Sequence, residues 1–314
     1  MGIKLPGWKI LIFRRIVAFL KKTMRGIITG YRSLSKKYTI KQYLNSDRRP
    51  WRTGYHEYKQ YYLDYTLKNT DLLTSFKSLK NLPENYGYRL DARVVEIPWV
   101  LSHINNRPES ILDAGSSLNN EVTICAPSLK NKKITILTLA PESIAFWDKG
   151  VSYVFGDLRN IYFKDESFDV IVCISTIEHI GMDNSMYTRK KTTNNPEKPN
   201  DFIIAVKELK RILKSGGTLF CTFPFGKYEN HGWFQQFDSG LIDVLKKEFA
   251  PAEYEETIFK YNPEGWIVSS RQECSDCEFF DVHTSKYFDP SSTIEYPPDY
   301  PAGERAVACL KLIK

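Results

Sequence analysis

Histidine is scarce in this chain: five copies, His56, His103, His179, His231 and His283, in 314 residues. That scarcity leaves little material for a polyhistidine metal site and few candidates for a general base. No apolar stretch reaches the roughly 18 uncharged residues of a membrane-spanning helix. The nearest attempt, residues 10–20, is broken by Arg14 and Arg15 and is followed by no small-residue cleavage site, which argues against a secretory signal. Glycine and proline, at 17 and 16 copies, are too few for a collagen-like or low-complexity chain. The six cysteines are scattered, and three of them (Cys173, Cys221, Cys309) sit inside apolar runs that read as buried strands. A secreted disulfide framework is spaced differently, so a reducing cytoplasm is expected. Acid is almost missing from the first 50 residues: 13 Lys and Arg face the single Asp47.

What is present divides accordingly. The remaining 264 residues carry 31 bases and 36 acids, so the net +7 belongs to the arm and the body is mildly acidic. Wound as a helix, Ile16, Val17, Leu20, Met24, Ile27, Ile28 and Tyr31 fall within an arc of roughly 120°, opposite Arg14, Arg15, Lys21, Lys22, Arg25 and Arg32. A cationic amphipathic helix with Trp8 near its start fits the surface of an anionic membrane. A helix packed on its own domain with a solvated basic face, or a nucleic-acid or ribosome contact, are the competing readings. The expected organisation is a basic amphipathic arm over 1–50, a Tyr-rich helical cap over 51–91 (Tyr55, Tyr58, Tyr61, Tyr62, Tyr65) and a main domain over 92–314.

The main domain opens on a helix at 92–105. Short β-branched runs at 110–115, 134–140, 152–157, 168–174 and 217–224 then follow, with a helix at 201–214 stopped by Ser215-Gly216-Gly217, and further strand-like runs at 255–261, 265–270 and 304–313. Near-continuous apolar strands alternating with helices predict an α/β fold, a parallel sheet covered on both faces. Ligands of such sheets sit beyond the carboxyl ends of the strands. Those ends carry Asp113 to Ser117, Thr138 with Glu142, Asp157, and Ser175 to His179.

Three ordered motifs sharpen this. ILDAGSSLN at 111–119 is an acid followed by a small-residue loop, VFGDLRNIYFKDESFDVIVCISTIEHIG at 154–181 joins a Gly-Asp to a Ser-Phe-Asp strand and a Glu-His, and ELKRILKSGGTLFCTFPFG at 208–226 is a helix, turn and strand. Together they resemble the class I S-adenosylmethionine-dependent methyltransferases over about residues 92–314, including methyltransferase-domain proteins of polysaccharide assembly. The resemblance implies a Rossmann-like, doubly wound, seven-stranded sheet whose last strand inserts antiparallel beside the fifth. It implies S-adenosylmethionine as cofactor, with Asp113 at the methionine end and the backbone of Ala114, Gly115 and Ser116 approaching closely. Asp157 would accept from the adenine amino group, Leu158 would offer its N–H, and Ile174 and Ser175 would line the methionine side. Where the family has an acid for the ribose, this chain has Thr138, and Glu142 is the expected substitute, at the start of a helix after Pro141. Ser117 stands where a second loop glycine is usual. A nicotinamide dehydrogenase, needing both the glycine-rich fingerprint and the ribose acid, is disfavoured.

Methyl transfer asks the protein to align a nucleophile and, for a hydroxyl, to take its proton. His179, after the fourth strand, and His231, in the aromatic loop after the fifth with Asp238 as its orienting partner, are the candidates; His103 reads as core. Cys274-Ser-Asp-Cys277 lacks two further ligands for zinc, so no metal is expected and a surface loop is the reading. The acidic body without basic stripes argues against nucleic acid. The expected function is O-methylation of a small, glycan or lipid-linked acceptor by a cytoplasmic protein held at the inner membrane face through residues 1–32. A non-catalytic cofactor-binding or scaffold protein is the alternative.

Overall fold

The computed structural model describes residues 34–78, 82–107, 109–188, 197–289, 291 and 296–314; the arm helix expected over residues 1–32 lies outside them. A helical segment at 34–44 is followed by α1 (Tyr55–Lys68), α2 (Thr70–Lys77) and α3 (Arg93–His103). Next come β1 (Ser110–Ala114), β2 (Lys133–Thr138), β3 (Ser152–Phe155) and β4 (Phe168–Ile174). Then follow α4 (Phe202–Ile212), β5 (Leu213–Pro224), a small hairpin of β6 (Glu229–Asn230) and β7 (Gln235–Gln236), α5 (Ser239–Phe249), β8 (Glu253–Asn262), β9 (Gly265–Ser269) and β10 (Ala306–Ile313).

One sheet runs in the order β3-β2-β1-β4-β5-β10-β8-β9. β1 to β5 are parallel, and β10 lies between β5 and β8, antiparallel to both. The doubly wound plan and the antiparallel insertion are as the resemblance implies, but the sheet has eight strands, not seven. The extra edge strand is β9, which turns back on β8 through Asn262–Gly265. It is anchored by the cap: the backbone N–H of Trp266 donates to the Tyr86 carbonyl at 2.8 Å and its indole N–H to the Leu90 carbonyl at 2.9 Å. The other differences are local. Ser215-Gly216-Gly217 lies within β5, where the β4 pairing shifts register, and α4 ends at Ile212 without a glycine. No helix follows Pro141; residues 141–146 are irregular before a short turn at Trp147–Lys149, since the segment has no apolar period to bury.

Side chains alternate across the strands, so each strand feeds two cores. In β4, Val170, Val172 and Ile174 join the core built with α1 to α3, whereas Ile171 and Cys173 join the core built with α4 and α5. The cap therefore has no separate interior; Tyr55, Leu63, Phe76 and Tyr86 share one cluster with Ile136, Val172 and Phe259. Its polar joint is Asp91, buried, which takes the Lys59 ammonium at 2.5 Å and the Tyr55 hydroxyl at 2.8 Å. Burial pushes Asp91 up, but Lys59 and the Tyr55 hydrogen bond outweigh it and hold the carboxyl below its usual range. Among the described residues no helix is long and apolar enough to cross a membrane.

Candidate active site

A cavity of about 480 Å³ opens beyond the carboxyl ends of β1, β2 and β4. Its floor is the loop after β1. Gly115 there has φ 118°, and a Cβ would collide with the Thr176 side chain, so only glycine lets this backbone pass. Ser116 also has a left-handed φ, 72°, and its hydroxyl is buried with no hydrogen-bond partner among the described residues. A tight loop carrying an unpaired buried hydroxyl is suited to a ligand that brings its own polar groups.

The sequence-predicted residues separate into walls and supports. Gly115, Ser116, Thr138, Glu142, Leu158, Ser175 and His179 line the cavity. Asp113 does not: fully buried beneath the loop, it accepts the N–H groups of Ser117 (3.2 Å) and Leu118 (2.8 Å) and fixes the turn. Burial pushes it up to about 7 in spite of those two bonds. Ala114 and Ile174 are likewise fully buried, and the Ile174 carbonyl accepts the hydroxyls of Ser117 and Thr176 at 2.6 and 3.0 Å. Glu142 accepts the Asn119 side-chain amide at 2.9 Å while facing the cavity. Asp157 borders a neighbouring hollow of about 510 Å³ that shares Leu139, Ile180 and Asn184 with the first. Both its oxygens are held by the Arg159 guanidinium, which also reaches Asp201 at 2.7 Å. Partial burial pushes Asp157 up, but the Arg159 hydrogen bonds and charge win and hold it low.

His179 is the histidine of the cavity wall. Its Nδ1 lies 2.9 Å from the Trp233 carbonyl, which can only accept, so Nδ1 carries the proton and Nε2 the lone pair. Burial pushes its pKa down to about 4, with the Arg93 charge in the same direction, so the ring is neutral near pH 7. Nε2 stands 3.8 Å from Glu178, a fully buried carboxyl whose Oε2 has no hydrogen-bond partner among the described residues and whose pKa burial drives far up. His231 is elsewhere. It stacks flat on Phe234 (4.6 Å between centroids), between Glu229 at 3.6 Å and Asp281 at 3.7 Å, and is no part of the cavity. Nor does Asp238 orient it: Asp238 caps α5, accepting the Leu241 N–H at 2.9 Å. An Asp three residues before a helical apolar run is an N-cap signal, and that signal was available in the sequence.

Sequence reasoning missed Arg93. At the start of α3 it is the one permanent cation among the described residues lining the cavity, held by Glu96 at 2.8 Å. Glu96 is fully buried and also takes the hydroxyls of Ser175 (2.6 Å) and Thr222 (2.7 Å), so it ties α3 to the ends of β4 and β5. Nothing local marks Arg93 as a site residue, because α3 reaches the cavity only through tertiary packing. The Cys274–Cys277 segment is not a surface loop either; both cysteines are buried. Among the described residues no cluster could hold a metal.

A mostly parallel sheet with an antiparallel strand inserted beside β5, and a cavity at its topological switch, define a Rossmann-like nucleotide-cofactor domain. Residues 112–221 match the family model of a methyltransferase domain. The matched segment thus carries the signature of a methyltransferase domain, and S-adenosylmethionine is the cofactor that goes with it. No curated protein matches the chain. Among solved structures, the YcgJ protein of Bacillus subtilis is 12% identical with a TM-score of 0.42, covering 70% of this chain and 97% of its own. A Burkholderia thailandensis 1,6-didemethyltoxoflavin-N1-methyltransferase, solved with S-adenosylhomocysteine, is 12% identical at 0.42, covering 82% and 90%. A Methanosarcina mazei SAM-dependent methyltransferase is 11% identical at 0.40, covering 68% and 96%. Likenesses this distant say nothing of the acceptor.

Proposed function

We propose that this domain transfers a methyl group to an oxygen of a glycan or lipid-linked acceptor at a membrane surface. The observation that carries the reading is His179, a neutral imidazole that lines the cavity with its tautomer fixed, so that Nε2 keeps the lone pair. S-Adenosylmethionine, when bound, supplies an electrophilic methyl on a sulfonium. Gly115 and Ser116 would bear against its amino-acid end, Arg93 would hold its carboxylate, and Thr138 with Glu142 would take the ribose hydroxyls. A pKa of about 4 makes His179 a weak base for an intact alcohol. It is adequate for a proton that becomes strongly acidic as the new C–O bond forms. The division of labour is therefore alignment first and late proton capture by Nε2. The membrane half of the reading rests on the arm, 13 bases against one acid, each worth about 1 kcal/mol beside an anionic leaflet.

Two experiments test it. Labelled methyl transfer from S-adenosylmethionine to membrane-borne glycan fractions should be lost in His179→Ala; transfer to small free acceptors alone would redirect the reading. Co-sedimentation of the full chain with anionic vesicles should weaken with salt, screened over roughly 8 Å, and weaken further in Leu20→Glu. A second reading, cofactor binding without turnover, is favoured by Thr138 in place of the ribose acid and by the engagement of Asp157 with Arg159. Calorimetric binding of S-adenosylhomocysteine with no transfer to any fraction would establish it.

A further inference from the structure

Cys274 and Cys277 are separated by one turn, with the Cys277 N–H donating to the Cys274 carbonyl at 3.0 Å, and both side chains are buried. The Cys274 sulfur also meets the Ser269 hydroxyl at 3.4 Å. A hydrogen-bonded turn of this kind keeps its first and fourth Cα atoms within about 7 Å, a separation that a disulfide can span. What distinguishes this pair is what Cys277 holds. Its carbonyl accepts the Lys227 N–H at 3.0 Å and the Gln236 side-chain amide at 2.8 Å, from both ends of the loop after β5. It also presses on Gly226 so closely that a Cβ there would collide with it. Two residues on, the Phe279 N–H donates to Glu229 at 2.7 Å, and the Phe279 ring packs on Phe234 at 4.6 Å. The loop so clamped contains Trp233, whose carbonyl fixes His179.

We propose that Cys274 and Cys277 form a reversible disulfide with a peroxide as oxidant, and that closing it shifts the loop at 226–237 and with it His179. The Cys274 thiolate attacks one peroxide oxygen, the O–O bond breaks, and hydroxide leaves, giving a sulfenic acid. The Cys277 sulfur then attacks the Cys274 sulfur, its proton joining the departing hydroxyl as water. Two thiols and one hydrogen peroxide yield one disulfide and two waters. Cys274 is the nucleophile because the neighbouring Cys277 thiol, the Ser269 hydroxyl and the Lys260 charge bring it down to about 7 against the opposing effect of burial. A nucleophile this enclosed favours an oxidant as small as peroxide.

The link to His179 rests on the proposed cofactor site, so the test separates the two. The full chain is treated with hydrogen peroxide, then with dithiothreitol. Intact mass should fall by two hydrogens and recover, peptide mapping should place the bond between Cys274 and Cys277, and amide exchange over residues 226–237 should change. Affinity for S-adenosylhomocysteine should differ about fivefold to tenfold between the two forms, the net worth of one hydrogen bond. Cys125→Ser should respond as the wild type does, and the double variant Cys274→Ser/Cys277→Ser should not. If the double variant fails to fold, the oxidised and reduced forms of Cys125→Ser still decide. No bond, a bond elsewhere, or a bond with unchanged exchange at 226–237 overturns the inference. Failure of the reduced protein to bind S-adenosylhomocysteine counts against the cofactor site alone, since exchange at 226–237 is read without ligand.

Discussion

Arg93 shows how a single side chain acquires its role from its surroundings. Glu96 holds its guanidinium, and the residue lines a cavity with no other permanent cation among its described lining residues. If it holds the methionine carboxylate, Arg93→Gln should weaken S-adenosylhomocysteine about tenfold to a hundredfold, as loss of a charge-assisted hydrogen bond does. Methylthioadenosine, which lacks the carboxylate, should bind both proteins alike in the same calorimetric titration; equal weakening would mean a general disturbance of α3. His179 permits a second test. Its pKa in the folded protein, about 4, lies below the unfolded value of about 6.5, so unfolding takes up a proton at mildly acid pH. The stability tied to its neutrality is complete above pH ~6.5 and is lost as pH falls towards 4, up to about 3 kcal/mol. Urea denaturation across that range should show the wild type losing this much more than His179→Gln. The sequence reveals which small residues form the loop after β1, because glycine and serine between a strand and a turn have few other uses. It does not reveal that Asp113 faces the loop amides and not the ligand, since both readings need a buried acid at the same place.

At the scale of elements, caps and edges decide more than propensities. Asp238 begins α5, and its side chain satisfies one of the helix's four free amides. Asp238→Ala should cost about 1 kcal/mol in thermal or chemical unfolding and leave cofactor affinity unchanged. A selective loss of binding or transfer would restore a part for it in the site. The strands were legible because β4, β5 and β10 are short β-branched and apolar runs on both faces, as central strands are, set between a helix and turn residues. The edge strand β9 is legible as a strand but not as part of the sheet, for its place depends on Tyr86 and Leu90 of the cap, some 180 residues earlier for the indole bond. The absent helix after Pro141 has a related cause: Glu142 answers to Asn119, and residues 141–146 follow the surface laid down by other segments.

For the molecule as a whole, the cap is one face of the body's own core. We propose that residues 51–91 and 92–314 unfold as a single cooperative unit; far-ultraviolet dichroism and tryptophan fluorescence should report one coincident transition, and two resolved transitions would separate the units. The sheet's strand order has a further consequence for biosynthesis. β10 fills the slot between β5 and β8, yet it is the last of the sheet's strands to leave the ribosome. Until residues 306–313 emerge, a nascent chain that has already made β5 and β8 must carry two long unpaired strand edges with nothing between them, an arrangement prone to pairing with a neighbouring chain. Emergence of residues 306–313 is therefore the step that lets the chain cover both edges and close its own sheet.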